Sequence, residues 1–419
     1  MVGGGTGAGA MSQPLRVAVV SHADKVWGAE HVLLRVARPL GDLGIEMRLC
    51  APPGEFGRSW RALGLPVVET RFPRHQGLRD PDGHRAGIVQ LAAESGAVTR
   101  SVVEVARLAR TADVVHSNSL NAHLEVGLGA RAARTPAVLH VHDLVAPGVG
   151  RRVLGLAARA AHTTIAISHA VAGCIGSGRV AVVANGVDAR AFAPGSARPD
   201  LRRELGGVDG RPLVGVVGRL DPEKRIEMVI DAVAQLPADL DARLTVVGAP
   251  YRTGVEYERE LRRHADARLP GRVTFVRPRP DMPDVIRCLD VLASAAVAEP
   301  FGLTLLEAQA CGVPVVAVPA GGVTDFVADG DTGRLAATVP AFAEAITRVL
   351  SDGPGTRAMT ARARRQVEAG YTVEQQALAI AHIYREAAGT AGAPADVTST
   401  TAPARPTTWG TEQERTSWS

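Results

Sequence analysis

A rhythm of short apolar runs constrains this chain most. LRVAVVSH (Leu15–His22), MRLCAP, PVVETRF, ADVVHSNS (Ala112–Ser119), AVLHVHD (Ala137–Asp143), TTIAIS (Thr163–Ser168) and VAVVANG (Val180–Gly186) follow one another, with helical or loop segments between them. Val, Ala, Ile and Leu fill these runs almost continuously. A strand of that kind is buried on both faces, which calls for a parallel sheet covered by helices on each side. After the first run, Gly28 to Leu43 carries its apolar residues at helical spacing.

The stretch Asn185 to Arg211 is rich in Pro, Gly and Asp and reads as a linker. The rhythm then restarts with PLVGVVGRL (Pro212–Leu220), ARLTVVGAP, VTFVRPR, VLASAA and VPVVAVP. With 419 residues the chain exceeds one ordinary core. The expected architecture is α/β, with two doubly wound Rossmann-like domains facing across a cleft. The boundaries expected are a flexible leader at 1–14, a first domain at 15–190, a linker at 191–211 and a second domain at 212–372. A helix at 373–388 could return to the first domain. The tail 389–419, rich in Thr, Ala, Pro and Ser, is expected to be disordered.

Composition excludes several classes of function. Aromatic residues make up 4% and the net charge is +4, so neither a stacking platform nor a basic stripe for nucleic acid is expected. The four cysteines, Cys50, Cys174, Cys288 and Cys311, are scattered singly, as in a reducing, cytoplasmic compartment. No run is long enough to span a bilayer, and the N-terminus lacks the basic and apolar regions of a signal peptide. Arg131, Arg134, Arg151, Arg152 and Arg159 make the first half locally basic. They form either a solvated face or a peripheral contact with the inner face of a membrane.

Ligands of such sheets bind beyond the carboxyl ends of the strands, so the polar residues placed there are the candidates. GRLDPEKRIE puts Arg219 and Lys224 after one strand, where a helix is expected to start with Asp221 as its cap and Pro222 in its first turn. The chain has only two lysines, Lys25 and Lys224, so a compact ammonium at this place stands out. Two cations there are either a diphosphate site or a solvated helix start. EPFGLTLLEA then sets Glu299 in a loop and Glu307 on the helix that follows. The first N–H groups of that helix, near Leu303 and Thr304, suit a phosphate. Glu299 would adjoin the phosphate's substituent, and Glu307 would reach hydroxyls such as those of a ribose. The alternative is a capping Glu299 and a salt-bridged Glu307.

His140 and His142 share one face of a strand. With Asp143 they resemble part of a metal set, but a third and fourth ligand are missing and no metal is expected. His142 is expected as a substrate contact and His140 as a hydrogen-bonded buried residue. HSNS (His116–Ser119) lines the acceptor side or caps the next helix through Ser119 or Asn121. Asp329–Asp331 is expected to be a turn.

These segments together resemble the retaining GT-B glycosyltransferases of family 4. EPFGLTLLEAQACGVPVVA is similar to that family's E-x7-E segment, and VGRLDPEKRIEMVIDA to its donor-phosphate segment. VWGAEHVLLRVARPLGDLG, AISHAVA, VANGVDARAFAP and AGGVTDFVADGDTGRL fit in the same order, from Leu15 to Ala388. The resemblance implies transfer of a sugar from a nucleotide sugar, UDP or GDP, to a hydroxyl or thiol acceptor. That acceptor is a small molecule, lipid or glycan of cell-envelope or natural-product biosynthesis. No nucleic-acid partner, metal or other cofactor is implied. The first domain takes the acceptor and the second the donor. Arg219, Lys224, Glu299 and His142 are the implied catalytic residues. Gly28, Gly218, Phe301, Gly302, Leu303, Thr304 and Glu307 are the implied donor contacts. Trp27, Lys25, Asn118 and Asp143 stand on the acceptor side. Two departures from the family pattern are visible. Trp27 replaces a glycine, which narrows the loop's freedom. Arg225 also replaces a glycine, which is tolerable if it lies in a helix. A nucleotide-sugar epimerase of this fold and a non-catalytic nucleotide-sugar-binding paralogue are the alternatives. A dinucleotide-dependent oxidoreductase lacks its Gly-x-Gly-x-x-Gly after the first strand.

Overall fold

The computed structural model describes residues 13–70, 88–250 and 254–390. Most of the expected leader and tail, at 1–12 and 391–419, lies outside the described residues.

The apolar runs form strands in two parallel sheets. The first contains β1 (Leu15–Val20), β2 (Ile45–Ala51), β3 (Val67–Glu69), β4 (Val114–Ser117), β5 (Ala137–Val141), β6 (Thr163–Ala166) and β7 (Val180–Val182). Their order is β3-β2-β1-β4-β5-β6-β7, and every pairing is parallel. The second contains β8 (Leu213–Val217), β9 (Arg243–Val247), β10 (Val273–Val276), β11 (Val291–Ser294), β12 (Val315–Ala317) and β13 (Arg334–Leu335). Its order is β10-β9-β8-β11-β12-β13. The central strands are buried over most of their length, β1 from Val17 onward, as continuous apolar runs require. The architecture is that of two Rossmann-like α/β units.

Both sheets reverse their order beside the first strand of the unit, between β1 and β4 and between β8 and β11. A crevice opens beyond the strand ends at such a point. The segments after these four strands therefore position the site.

Three features differ from the sequence reading. The 191–211 segment is not plain linker: it carries a short helix, Pro199–Glu204, whose Leu201 and the adjacent Leu205 are buried. Proline at the first helical position suits that start. The two-residue β13 lies in a stretch taken as loop. The turn Pro222–Lys224 is a 3-10 turn, and the α-helix begins only at Ile226. Arg225 between them has φ 46 and ψ 47, the left-handed region. Its tolerance therefore does not come from helix propensity; a glycine would sit there with less strain.

The last helix, Val373–Ala387, packs against the helix Gly28–Asp42 of the first unit. Ile380, Ala381 and Tyr384 enter the same cluster as Leu33, Val36 and Leu40. Among the described residues no helix is long and apolar enough to cross a membrane.

Candidate functional site

In the second unit, Gly218 and Arg219 follow β8 and lead into the 3-10 turn ending at Lys224. Glu299 lies in the loop after β11. The Lys224 Nζ donates to Glu299 Oε2 at 2.5 Å, with both side chains largely buried. The Val297 N–H donates to the Glu223 carbonyl at 3.1 Å, so backbone and ion pair both join the two loops. Asp221 makes no side-chain cap, contrary to expectation; its carboxylate lies 3.6 Å from Arg219 Nε instead. The Lys224 N–H, which a side-chain cap would use, donates to the Asp221 backbone carbonyl at 2.9 Å.

A third loop holds Glu299 from behind. The Gly322 N–H donates to the Glu299 carbonyl at 2.9 Å. Gly321 has φ +57, and a Cβ on it would stand 1.9 Å from the Glu299 carbonyl oxygen. Only glycine allows that approach. Sequence reasoning placed the AGGV segment within the family but assigned no role to Gly321 or Gly322. The paired glycines were the signal.

The helix Leu303–Ala310 starts at Gly302, whose φ of 99 lies in the left-handed region. Glu299 therefore does not cap it. Leu303 and Thr304, in its first turn, have no earlier helical carbonyl to receive their N–H groups. Phe301 is 2% exposed and packs on Phe326 with ring centroids 5.2 Å apart. Its side chain is a core group that fixes the loop, and only its backbone is available to a ligand. Glu307 is buried on the same helix. Burial pushes its pKa up from the usual carboxylate value, and Arg35 opposes that shift.

The first unit contributes the ends of β1, β4 and β5. Asn118, buried just beyond β4, donates from Nδ2 to the Ala29 carbonyl at 3.3 Å. Its Oδ1 lies 3.0 Å from His142 Nε2. Since the amide nitrogen faces a carbonyl, Oδ1 accepts, and Nε2 of His142 must carry the proton. Burial lowers the His142 pKa to about 3, so the ring is neutral and its Nδ1 is an acceptor. Ser119 and Asn121 form no helix cap; Ala122 precedes the helix His123–Ala133. Asn118 therefore takes the structural part in HSNS.

Behind His142 lies a histidine cluster. The His140 ring is 4.1 Å from that of His142 and 5.5 Å from that of His116. His140 is buried, but neither ring nitrogen has a partner, so the expected hydrogen bond is not found. His116 Nδ1 lies 2.9 Å from the Tyr384 hydroxyl of the last helix. Among the described residues no group of three or more His, Cys, Asp or Glu could hold a metal.

Trp27 and Lys25 are exposed in the loop after β1, as is Asp143 after β5. Trp27 has φ −117, an ordinary extended backbone, so replacing glycine there narrows nothing the loop uses. Gly28 opens its helix, and nothing of the chain lies within 4 Å of where its Cβ would stand.

Two of the polar contacts that join the units were missed from sequence. Arg35 of the Gly28 helix donates from Nη2 to Glu307 Oε1 at 2.8 Å. Asp325 of the second unit accepts from the His169 backbone N–H at 2.8 Å. Neither partner is legible locally, because the pairs are 272 and 156 residues apart.

Two parallel-sheet units, each with a switch point beside its first strand, have the architecture of the GT-B glycosyltransferases, and the second holds an open helix start beside a lysine–glutamate pair. The family description "Glycosyltransferase Family 4" matches residues 26–191, and "Glycosyl transferases group 1" matches residues 197–366. The chain belongs to this family of glycosyltransferases. It is 36% identical over 239 residues to a D-inositol 3-phosphate glycosyltransferase of Mycobacterium marinum, covering 55% of this chain and 50% of that one. A namesake from Kribbella flavida is 36% identical over 225 residues, covering 51% and 53%. The chain thus spans about half the length of the curated relatives it matches. Among solved structures, Anabaena Alr3699/HepE in complex with UDP and glucose superposes with TM-score 0.73 at 26% identity, covering 88% of this chain and 99% of that one. Sucrose-phosphate synthase from Thermosynechococcus elongatus shares the fold, with TM-score 0.71 at 21% identity, covering 90% and 100%.

Proposed function

We propose that the protein moves a sugar from a nucleotide diphosphate sugar to a hydroxyl acceptor, with retention at the anomeric carbon. The observation that carries this reading is the Lys224–Glu299 pair, 2.5 Å apart, set just before a helix whose first turn lacks carbonyl partners and whose next turns hold Glu307. A diphosphate fits between the cations and the helix start. Glu299 and Glu307 then lie towards its two ends, one for sugar hydroxyls and one for ribose.

In that arrangement charge building on the departing diphosphate is met by Arg219, Lys224 and the helix N-terminus. Those groups supply the positive charge that a metal supplies in other transferases. The sugar passes through an oxocarbenium-like transition state. His142, neutral with Nδ1 as acceptor, takes a hydrogen bond from a sugar hydroxyl, and the acceptor attacks on the face that the diphosphate leaves. UDP is the first nucleotide to test, since Alr3699/HepE was solved with it. A phosphorylated polyol of the inositol phosphate kind is the first acceptor, given the relatives' name.

Thermal unfolding with UDP, GDP, ADP and dTDP, each with and without EDTA, tests the donor site. A nucleotide at about a hundred times its Kd adds about 2.7 kcal/mol of stability. One nucleotide should raise Tm regardless of EDTA, and Lys224→Ala should abolish the rise. No rise with any nucleotide would overturn the reading. A new sugar nucleotide formed without acceptor would point instead to an epimerase.

A further inference from the structure

Glu307 is a buried carboxylate of the candidate site, 5% exposed, and the cation that meets it comes from the other unit. Arg35 is itself held in place. Its guanidinium lies 5.8 Å from the centre of the Phe192 ring, and its helix is backed by the Val373–Ala387 helix. The other titratable or charged groups around the Leu303–Ala310 helix face elsewhere. Arg364, from the helix Gly353–Gly370, donates to the Ala310 carbonyl at 2.6 Å. Arg287, from the helix Met282–Arg287, donates to the Ala193 carbonyl at 2.8 Å and pairs with Asp284. Cys311 follows on the same helix, buried and with its pKa pushed up. His31, one turn before Arg35, has its pKa lowered by desolvation and by the Arg35 charge. Among the described residues, Arg35 is the charged group that touches the Glu307 carboxylate.

We propose that Arg35 is a positioning residue for nucleotide binding: from the first unit it keeps the Glu307 carboxylate charged and aimed, so that ribose hydroxyls meet an ionised acceptor. This rests on the donor reading above. A buried carboxylate without a cation takes up a proton rather than remain charged. The protonated acid is the weaker acceptor, because hydrogen bonds to an ionised oxygen are roughly twice as strong as neutral ones. Arg35 engages Oε1, and a hydroxyl can use the remaining acceptor positions of the carboxylate. A second consequence follows from where Arg35 sits. The pair also ties the nucleotide site of the second unit to the Gly28–Asp42 helix of the first.

The test is the Kd for UDP, by calorimetry, of wild type, Arg35→Ala, Arg35→Lys and Glu307→Gln. Arg35→Ala should bind about tenfold more weakly near pH 6, one pKa unit of altered proton affinity being a factor of ten. The loss should shrink as pH rises, because Glu307 then gives up its proton. Arg35→Lys should restore most of the affinity and flatten the pH dependence. Glu307→Gln should bind weakly at both pH values and be insensitive to a further Arg35→Ala. Arg35→Ala binding as tightly as wild type at both, more tightly at either, or equally weakly at both would overturn the proposal. A second measurement needs no nucleotide. The Tm deficit of Arg35→Ala should be larger near pH 8 than near pH 6, and this pH dependence should vanish in the Glu307→Gln background. If wild type binds no nucleotide, the donor reading fails. The Tm comparison then still decides on Arg35, and a deficit independent of pH overturns its role.

Discussion

Lys224 and Glu299, 75 residues apart, meet at 2.5 Å across the ends of β8 and β11. The contact spans the switch point of the second sheet, and with the Val297–Glu223 backbone hydrogen bond it ties the two loops of the crevice together. It is mostly hidden from solvent, with side chains 22% and 14% exposed. Removing one partner therefore leaves the other without its countercharge in a poorly hydrated place.

Lys224→Ala should lower kcat about 10²- to 10³-fold, the range for losing one well-placed group that stabilises transition-state charge. It should also cost about 1–3 kcal/mol of stability through the stranded Glu299. Lys224→Arg should recover the stability better than the rate, because the larger, rigid guanidinium cannot take the place of a compact ammonium held 2.5 Å from Glu299. Steady-state kinetics and urea unfolding of the two variants separate the effects. A Lys224→Ala enzyme with unimpaired turnover would remove Lys224 from the chemistry.

What the sequence disclosed, and what it hid, follows from the range of each signal. The strands announced themselves, because a doubly covered parallel sheet fills most of its positions with apolar residues. Their end residues, Asn118, His142, Lys224 and Glu299, could then be picked out by place alone. The two residues of β13 were too few for any pattern. The Pro199–Glu204 helix was masked by the Pro, Gly and Asp around it. The start of the Ile226 helix was misplaced, since nothing about an arginine at 225 announces the left-handed backbone it holds. Arg35 was out of reach: nothing near position 35 names a carboxylate 272 residues away.

Gly321→Ala should be among the most damaging single-methyl changes in the chain. The new Cβ would fall 1.9 Å from the Glu299 carbonyl oxygen, on a backbone with φ +57. Relief requires the AGGV loop and the Glu299 loop to part, which breaks the Gly322 hydrogen bond as well. The expected cost is about 2–4 kcal/mol, in the range of overpacking combined with backbone strain. Activity should fall further than stability, since Glu299 moves with its loop. Thermal unfolding and kcat/KM on the same samples check this, and a variant with wild-type values in both would show the loops to be independent.

Arg225→Gly should stabilise. Arg225 holds φ 46, and an L-residue in that region is strained by roughly 1–2 kcal/mol. Glycine relieves this but gives the unfolded chain more freedom, leaving a net gain of about 0.5–1 kcal/mol. The urea midpoint should rise with an unchanged slope and unchanged KM. A lower midpoint would mean that the guanidinium makes a contact worth more than the strain.

The histidine cluster under His142 makes the fold sensitive to acid. Burial holds His116, His123 and His142 at about 3, and His140 well below its ordinary value. In the unfolded chain these rings titrate near 6.5. Their folded pKa values are depressed, so the unfolded state binds the extra protons. The stability they contribute is fully present above about pH 6.5 and is lost as pH falls from there towards 3. Each ring contributes at most about 1.4 kcal/mol per pH unit in that window. His140 is the ring to replace, because both its nitrogens are buried without partners. His140→Leu removes that burial cost, which is of order 1–3 kcal/mol. It also removes one of the protons taken up on acid unfolding. The variant should match or exceed wild-type stability near pH 8 and exceed it by more near pH 5. Chemical unfolding at the two pH values measures both differences. A gain that does not grow as pH falls would show that His140 keeps its ordinary pKa in the folded protein.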